Sequence, residues 1–217
     1  MTHAVSAASK GDAVKPLHNA STADSYADLP FLPAGGVASA RGFKACGIHA
    51  GFRADPKRLD FALVAADQPA ACAAVFTTNV FCSAPVTVSK EHLDGAGYGV
   101  ARAVAINSGI ANAATGDKGL QTARQSSGIV ADALGCPAQE VLVASTGVIG
   151  QHLQMEPFES GAPLAVSALS AAGGADAARA IMTTDTKPKE CAVTFSGNGL
   201  GYDECSFTVG GMAKGSG

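Results

Sequence analysis

Val141-Leu142-Val143-Ala144-Ser145-Thr146-Gly147-Val148-Ile149-Gly150 carries a buried-type strand straight into a small, polar, glycine-containing turn. Such a turn presents a hydroxyl and an unobstructed backbone N–H at the end of a sheet. Donors fixed in that way suit a developing oxyanion. The same residues also make an ordinary tight strand-to-loop turn with Gly147 at positive φ, and this feature alone favours that plainer reading.

Outward from this strand, short apolar runs alternate with Gly, Asn and Pro, which predicts further strands at 61–66, 73–76, 85–88, 102–107, 140–145, 191–196 and 205–209. The last of these should be buried. Helical periodicity predicts a helix over 117–134, with Ala123, Ser126, Ile129, Val130, Ala133 and Leu134 on one face and Gly135 with Pro137 as the stop. Two more helices are predicted over 157–172, where Gly161 is a poor helix former, and over 176–182, with Asp176 as N-cap. The early strands follow one another without a helix, so the pattern is not a strict βαβ repeat. The expectation is a layered α/β domain with mixed strand pairing over residues 30–217, preceded by a flexible or disordered lead-in over 1–29.

The bulk numbers narrow the partner class. The 217 residues are 47% hydrophobic and 15% charged with a formal net charge of −3, enough to bury a core and without the basic face a nucleic acid needs. No continuous apolar run has the length of a membrane span. The six cysteines are widely spaced, with no CxxC pair and no histidines placed to complete a zinc set, so no metal is expected and they read as buried or half-buried thiols in a reducing compartment. The first 27 residues lack the apolar centre of a secretory signal. Asp12, Asp24 and Asp28, with no arginine, argue against an organelle transit segment there. A cytoplasmic protein is expected, or one of an organelle matrix in a eukaryote.

Three more polar segments are candidate sites. Asn107-Ser108-Gly109-Ile110-Ala111-Asn112-Ala113-Ala114-Thr115-Gly116 offers two asparagines and two hydroxyls after a strand, which suits amide or carboxylate recognition and equally suits turn chemistry. Thr183-Thr184-Asp185-Thr186 sets three hydroxyls around a carboxylate able to orient a hydroxyl or hold an amine, although such clusters more often end a helix. Gly210-Gly211-Met212-Ala213-Lys214-Gly215-Ser216-Gly217 holds four glycines in eight positions around one lysine, so the backbone can approach a ligand closely while Lys214 meets a carboxylate. There is no G-x-S-x-G elbow, no complete P-loop and no H-E-x-x-H, and the five histidines share no motif. Oxyanion donors, a lysine anchor and hydroxyls are present, but no convincing nucleophile is.

Taken together and in order, these segments resemble the bifunctional ornithine acetyltransferase of arginine biosynthesis, also called glutamate N-acetyltransferase. The resemblance runs from about Gly35 to Gly217. It includes Arg41-Gly42-Phe43-Lys44-Ala45, Val75-Phe76-Thr77-Thr78-Asn79, the asparagine segment, Ser145-Thr146-Gly147-Val148-Ile149-Gly150, Ile181-Met182-Thr183-Thr184-Asp185-Thr186 and the final glycine run. Two positions depart from the family pattern: Ile110 stands where asparagine is usual, and Gln154 where proline is usual.

The resemblance implies a layered α-β-β-α fold and a precursor that cuts itself between an alanine and a threonine beyond the M-A-K-G-S-G motif. The threonine that heads the second chain is the nucleophile, its own amine serving as base. This chain then corresponds to most of the α half, inactive by itself, and partners its own β chain in an α2β2 heterotetramer. The reaction implied is a ping-pong transfer of acetyl from N-acetylornithine to glutamate, without a cofactor, some members also accepting acetyl-CoA. By position, Thr146 and Gly147 match the oxyanion-hole pair, Lys214 a substrate-binding lysine, and one of Thr183 or Thr184 a substrate-binding threonine. The rivals are a self-processing amidase or aminopeptidase of similar architecture and a non-catalytic small-molecule-binding domain.

Overall fold

The computed structural model describes residues 30–95, 97–198, 202 and 204–215. The expected lead-in at 1–29 therefore lies outside the described residues, which build two sheets. Strands β1 (Phe43–Ile48), β2 (Phe61–Ala73), β3 (Tyr98–Ile110) and β4 (Val141–Val148) pair in that order. The first two junctions are antiparallel and β3–β4 is parallel, so the pairing is mixed as expected. Strands β5 (Lys189–Ser196) and β6 (Ser206–Ala213) form a separate antiparallel pair.

Alternation along the strands assigns each face of the larger sheet its own cover. Phe61, Leu63, Ala103, Ala105 and Val141 point to one face, where they meet Val130 and Ala131 of helix α2 (Gly116–Leu134) and Phe158, Ala162 and Ala165 of helix α3 (Glu156–Ala168). Phe52, Phe61 and Phe158 centre this core, with ring centroids 4.7 to 5.9 Å apart. Helix α1 (Ala84–His92) closes the same side over β4 through Val88 and Val143. On the other face Ala45, Ala62 and Val64 receive Ala177 and Ala180 of the short helix α4 (Gly174–Ala180), with Met212 of β6 beside them. Alanine-rich strands let α4 sit very close: a Cβ at Gly47 would collide with the Asp176 carbonyl.

Several expectations need correction. Residues 85–88 are helical, not a strand. Pro85 occupies the first turn of α1, where its missing N–H costs nothing, and the β-branched Val86 and Val88 had suggested extension. No separate strand occupies 73–76, because Ala73 ends β2. Strand β1 had no signal of its own, since Lys44 and Gly47 are poor strand formers and its pairing with β2 decides the conformation. Helix α2 matches its expected span and stops at Gly135 in the left-handed region, φ 67°. Helix α3 ends earlier than expected, and its Gly161 is a packing residue: a Cβ there would stand 2.7 Å from that of Ala50. Asp176 does not cap α4. It lies in the first turn and pairs with Arg179 at 2.8 Å, while Gly173 takes the cap position.

The 205–209 stretch is not buried. Phe207 and Val209 are among the exposed apolar side chains, and on that face of the β5–β6 pair Phe207 meets only the rings of Phe195 and Tyr202 among the described aromatic residues. Of the cysteines, Cys46 is buried and Cys72, Cys82 and Cys136 half-buried, but Cys191 and Cys205 are exposed. Among the described residues no helix is long and apolar enough to cross a membrane, and no group of three or more His, Cys, Asp or Glu is placed to hold a metal ion.

Candidate active site

The two polar segments read as turns meet along a parallel ladder. Asn107 to Ile110 and Ser145 to Val148 continue β3 and β4, with Ser108 opposite Thr146 and Gly109 opposite Gly147. Each polar stretch satisfies the other's backbone, which is why low strand propensity does not end the sheet here. Gly147 has φ 133° and Gly109 φ 119°, so positive φ at Gly147 is borne out, although in a strand end rather than a tight turn. A Cβ at Gly147 would collide with the Gly109 carbonyl.

The orientation of the Gly147 amide follows from its neighbours. Val141 and Val143 turn their peptide groups away from β3: the Val141 carbonyl meets His92 Nδ1 at 3.0 Å, and Ser89 Oγ bonds both the carbonyl (2.8 Å) and the N–H (3.0 Å) of Val143. Val148 faces the other way, its carbonyl accepting from Ala111 N at 2.9 Å. Alternation along a parallel pair assigns the Gly147 N–H to the same side as the Val141 and Val143 peptide groups, the edge away from β3.

Thr146 and Gly147 line a cavity of ≈ 520 Å³. Thr183, Thr184 and Lys214 line it too, so the structure brings together all five candidates from three distant parts of the chain. Asp185 organises the far wall. Its side chain is 2% exposed and accepts from Lys189 Nζ (2.5 Å), Gly215 N (2.7 Å) and Thr183 N (3.2 Å), with Lys214 Nζ 3.4 Å away. These donors, the Lys189 ammonium first, hold its carboxyl well below the usual carboxylate range. A carboxylate so occupied is a strut for Lys214 and Thr183, not a free acceptor for a substrate amine.

The asparagines are structural. Asn107, 1% exposed, accepts from Ser145 Oγ (2.6 Å) and donates to the Ile110 carbonyl (2.9 Å). Asn112 is fully buried, donating to the Gly119 carbonyl and accepting from Thr115. Turn and strand chemistry thus accounts for this segment, and only Gly109 reaches the cavity. In the final glycine run, Gly210 makes room for the carbonyl of Gly36, so the close approach there is to the chain's own backbone. Ser216 and Gly217 lie outside the described residues.

Sequence reasoning missed Arg53, which also lines the cavity. It opens the charged stretch 53–60, which reads from sequence as a solvated loop. Folding brings it there through buried Asp60, whose carboxylate accepts from Ala50 N (2.6 Å) and Arg53 N (2.8 Å).

Comparison with known proteins identifies the family and supports the fold. The ArgJ family model matches residues 44–217. The chain is 46% identical over 183 residues to the arginine biosynthesis bifunctional protein ArgJ of Synechococcus sp., covering 84% of this chain and 42% of that protein. It is 46% identical over 185 residues to the chloroplastic ArgJ of Zea mays, covering 84% and 38%. Among solved structures, it superposes on ArgJ of Bacillus halodurans with TM-score 0.76 at 37% identity, covering 88% of this chain and 95% of that one. The ornithine acetyltransferase of Mycobacterium tuberculosis, solved with ornithine, gives TM-score 0.75 at 39% identity, covering 86% and 95%. The chain spans less than half the length of these curated relatives. With the family model matching residues 44–217, a curated ArgJ relative at 46% identity and a solved ArgJ structure superposing on its α/β fold, the chain belongs to the ArgJ family.

Proposed function

We propose that the protein transfers acetyl from N-acetylornithine to glutamate, in arginine biosynthesis, through an acyl-enzyme. The observation that carries this reading is the single cavity shared by Thr146, Gly147, Thr183, Thr184 and Lys214. In the first half-reaction a threonine hydroxyl from the remainder of the protein attacks the acetyl carbonyl, passing its proton to its own α-amine. The C–N bond breaks, the proton goes to the departing amine, and ornithine leaves. The glutamate amine then attacks the acyl-enzyme and releases N-acetylglutamate and the free hydroxyl.

In both steps negative charge develops on the acetyl oxygen. The Thr146 hydroxyl and the Gly147 amide are its donors, preorganised by the β3–β4 ladder. Lys214 pairs with a substrate carboxylate, and Thr183 and Thr184 supply hydroxyls to the substrate. No cofactor is required, because the acetyl group rides on the enzyme's own oxygen; acetyl-CoA enters, where used, as an alternative donor.

Residues 30–217 form one domain, most of the α half of a self-cleaved α2β2 enzyme of the cytoplasm or an organelle matrix. Two observations support a second half that completes the site. The chain spans 42% of the Synechococcus relative, and Val148 (51%) and Ile149 (67%) are bare beside the cavity. The test is acetyl transfer from N-acetylornithine to glutamate, without CoA, by the complete protein. Ornithine and N-acetylglutamate in equal amounts are expected. Ornithine with free acetate would replace the transferase by a hydrolase.

A further inference from the structure

Of the cavity's lining residues, Arg53 and Lys214 are the cations, and no acidic residue lines it. Lys214 shares Asp185 with Lys189. Among the described residues none sets a carboxylate on the Arg53 guanidinium: Nε meets Ser108 Oγ at 3.3 Å and Nη2 donates to the Met182 carbonyl at 3.0 Å. The Asp60 carboxylate binds Arg53 through its backbone N–H. Of five guanidinium N–H donors two are used, and the rest, including both on Nη1, have no partner among the described residues.

The side chain is nevertheless fixed. Asp60, with no exposed surface, clamps the loop from Ala50 to Arg53. The stem also runs close over Gly109, where a Cβ would stand 3.2 Å from Arg53 Cγ. Ser108 and Met182 then hold the planar head, so little rotamer entropy remains to be lost on binding. Burial lowers the guanidinium's pKa, but from so high a value that it stays charged at any working pH. A fixed, charged fork with spare donors is built for an incoming carboxylate.

We propose that Arg53 is the specificity-determining residue for an acyl acceptor with two carboxylates, one meeting Lys214 and the other the free guanidinium donors. The assignment rests on the transferase reading and deepens it. A ligand with one carboxylate and a side-chain ammonium gains only the Lys214 contact and meets like charge at Arg53. The cavity thereby separates the acidic acceptor from the basic amine product through one residue of the 49–53 loop.

The test is calorimetric binding of glutamate and of ornithine to the complete protein, as wild type, Arg53→Gln and Arg53→Lys, with thermal unfolding run alongside. Arg53→Gln is expected to weaken glutamate at least about tenfold, the scale of one charge-assisted contact, while ornithine changes little or tightens. Arg53→Lys, which keeps the charge and loses the fork, should lie between. On the wild type alone, glutarate should compete with glutamate better than butyrate, a readout needing no variant to fold. Equal losses for both ligands, no loss, or equal competition by the two acids would overturn the assignment. Transfer by the wild type is scored separately. Active wild type with an unselective Arg53→Gln rejects this inference alone, whereas wild type that neither binds glutamate nor transfers acetyl rejects it with the parent reading.

Discussion

The carboxylate of Asp185 stands 3.4 Å from Nζ of Lys214 and joins the Thr183 segment to the end of β6. Lys189, Gly215 and Thr183 also donate to it, which depresses its pKa in the folded state. A depressed carboxyl stabilises the fold above its unfolded-state value, about 4, and the contribution is lost as pH falls through the lower folded-state value. Asp185→Asn should therefore lower Tm by a constant amount from pH 8 to 5, and the gap to wild type should close in acid. Calorimetric scans across pH check this. A gap independent of pH down to strong acid would show that the charge is not what matters.

At Gly147 two penalties coincide: φ is 133°, and a Cβ would meet the carbonyl of Gly109. The backbone conformation alone costs an L-residue about 1–3 kcal/mol. Gly147→Ala should push β4 off register at its last residues and abolish acetyl transfer, with a fall in Tm of several degrees. Gly150→Ala is the control, since φ there is also positive, 80°, but nothing stands within 4 Å. That change should cost stability and spare most of the activity.

The fold was legible where chemistry was local. Helix α2 carries its own periodic face and its Gly135 stop, and β4 its unbroken apolar run. Strand β1 was not legible, because Lys44 and Gly47 take their conformation from β2 and α4. Helix α1 was misread, because two valines signal extension until Pro85 and Ser89 are given their places, one in the first turn and one on the β4 edge. In the site, Thr146, Gly147 and Lys214 lie in short distinctive segments that a resemblance can find. Arg53 stands in a charged loop, and the clamp of Asp60 seven residues on, with the distant carbonyl of Met182, brings it in. Asp185 was visible as a residue, but its three donors and the neighbouring Lys214 ammonium come from positions 183 to 215, and only folding brings them together.

Thr146 stands opposite Ser108 on β4 and faces the same cavity as Lys214. If its hydroxyl meets the acetyl oxygen only as charge develops, removing it should act on kcat and not on KM for N-acetylornithine. Loss of one such donor costs about 3 kcal/mol, or roughly a hundredfold in rate. Thr146→Ala should show that fall, and Thr146→Ser should recover most of it. An equal loss in both variants would mean that the methyl group, and hence packing, is what the site needs.

Cys46 is 3% exposed between β1 and α3, where its thiol donates to the Ala165 carbonyl at 3.2 Å. Burial pushes its pKa up to about 11, so at pH 8 almost none is thiolate, the form that reacts with alkylating agents. Cys191 and Cys205 are exposed and serve as reference sites on the same chain. Iodoacetamide followed by peptide mapping should modify those two in the native protein while Cys46 stays free, and Cys46 should react fully once denaturant is added. Raising the pH to 9.5 increases the thiolate fraction of Cys46, yet its native-state rate should stay far below that of Cys191, because access still requires α3 to lift from β1. A native-state rate at Cys46 that matches Cys191 would mean that α3 opens readily, and that the Phe52–Phe61–Phe158 core beneath it is far looser than its ring contacts imply.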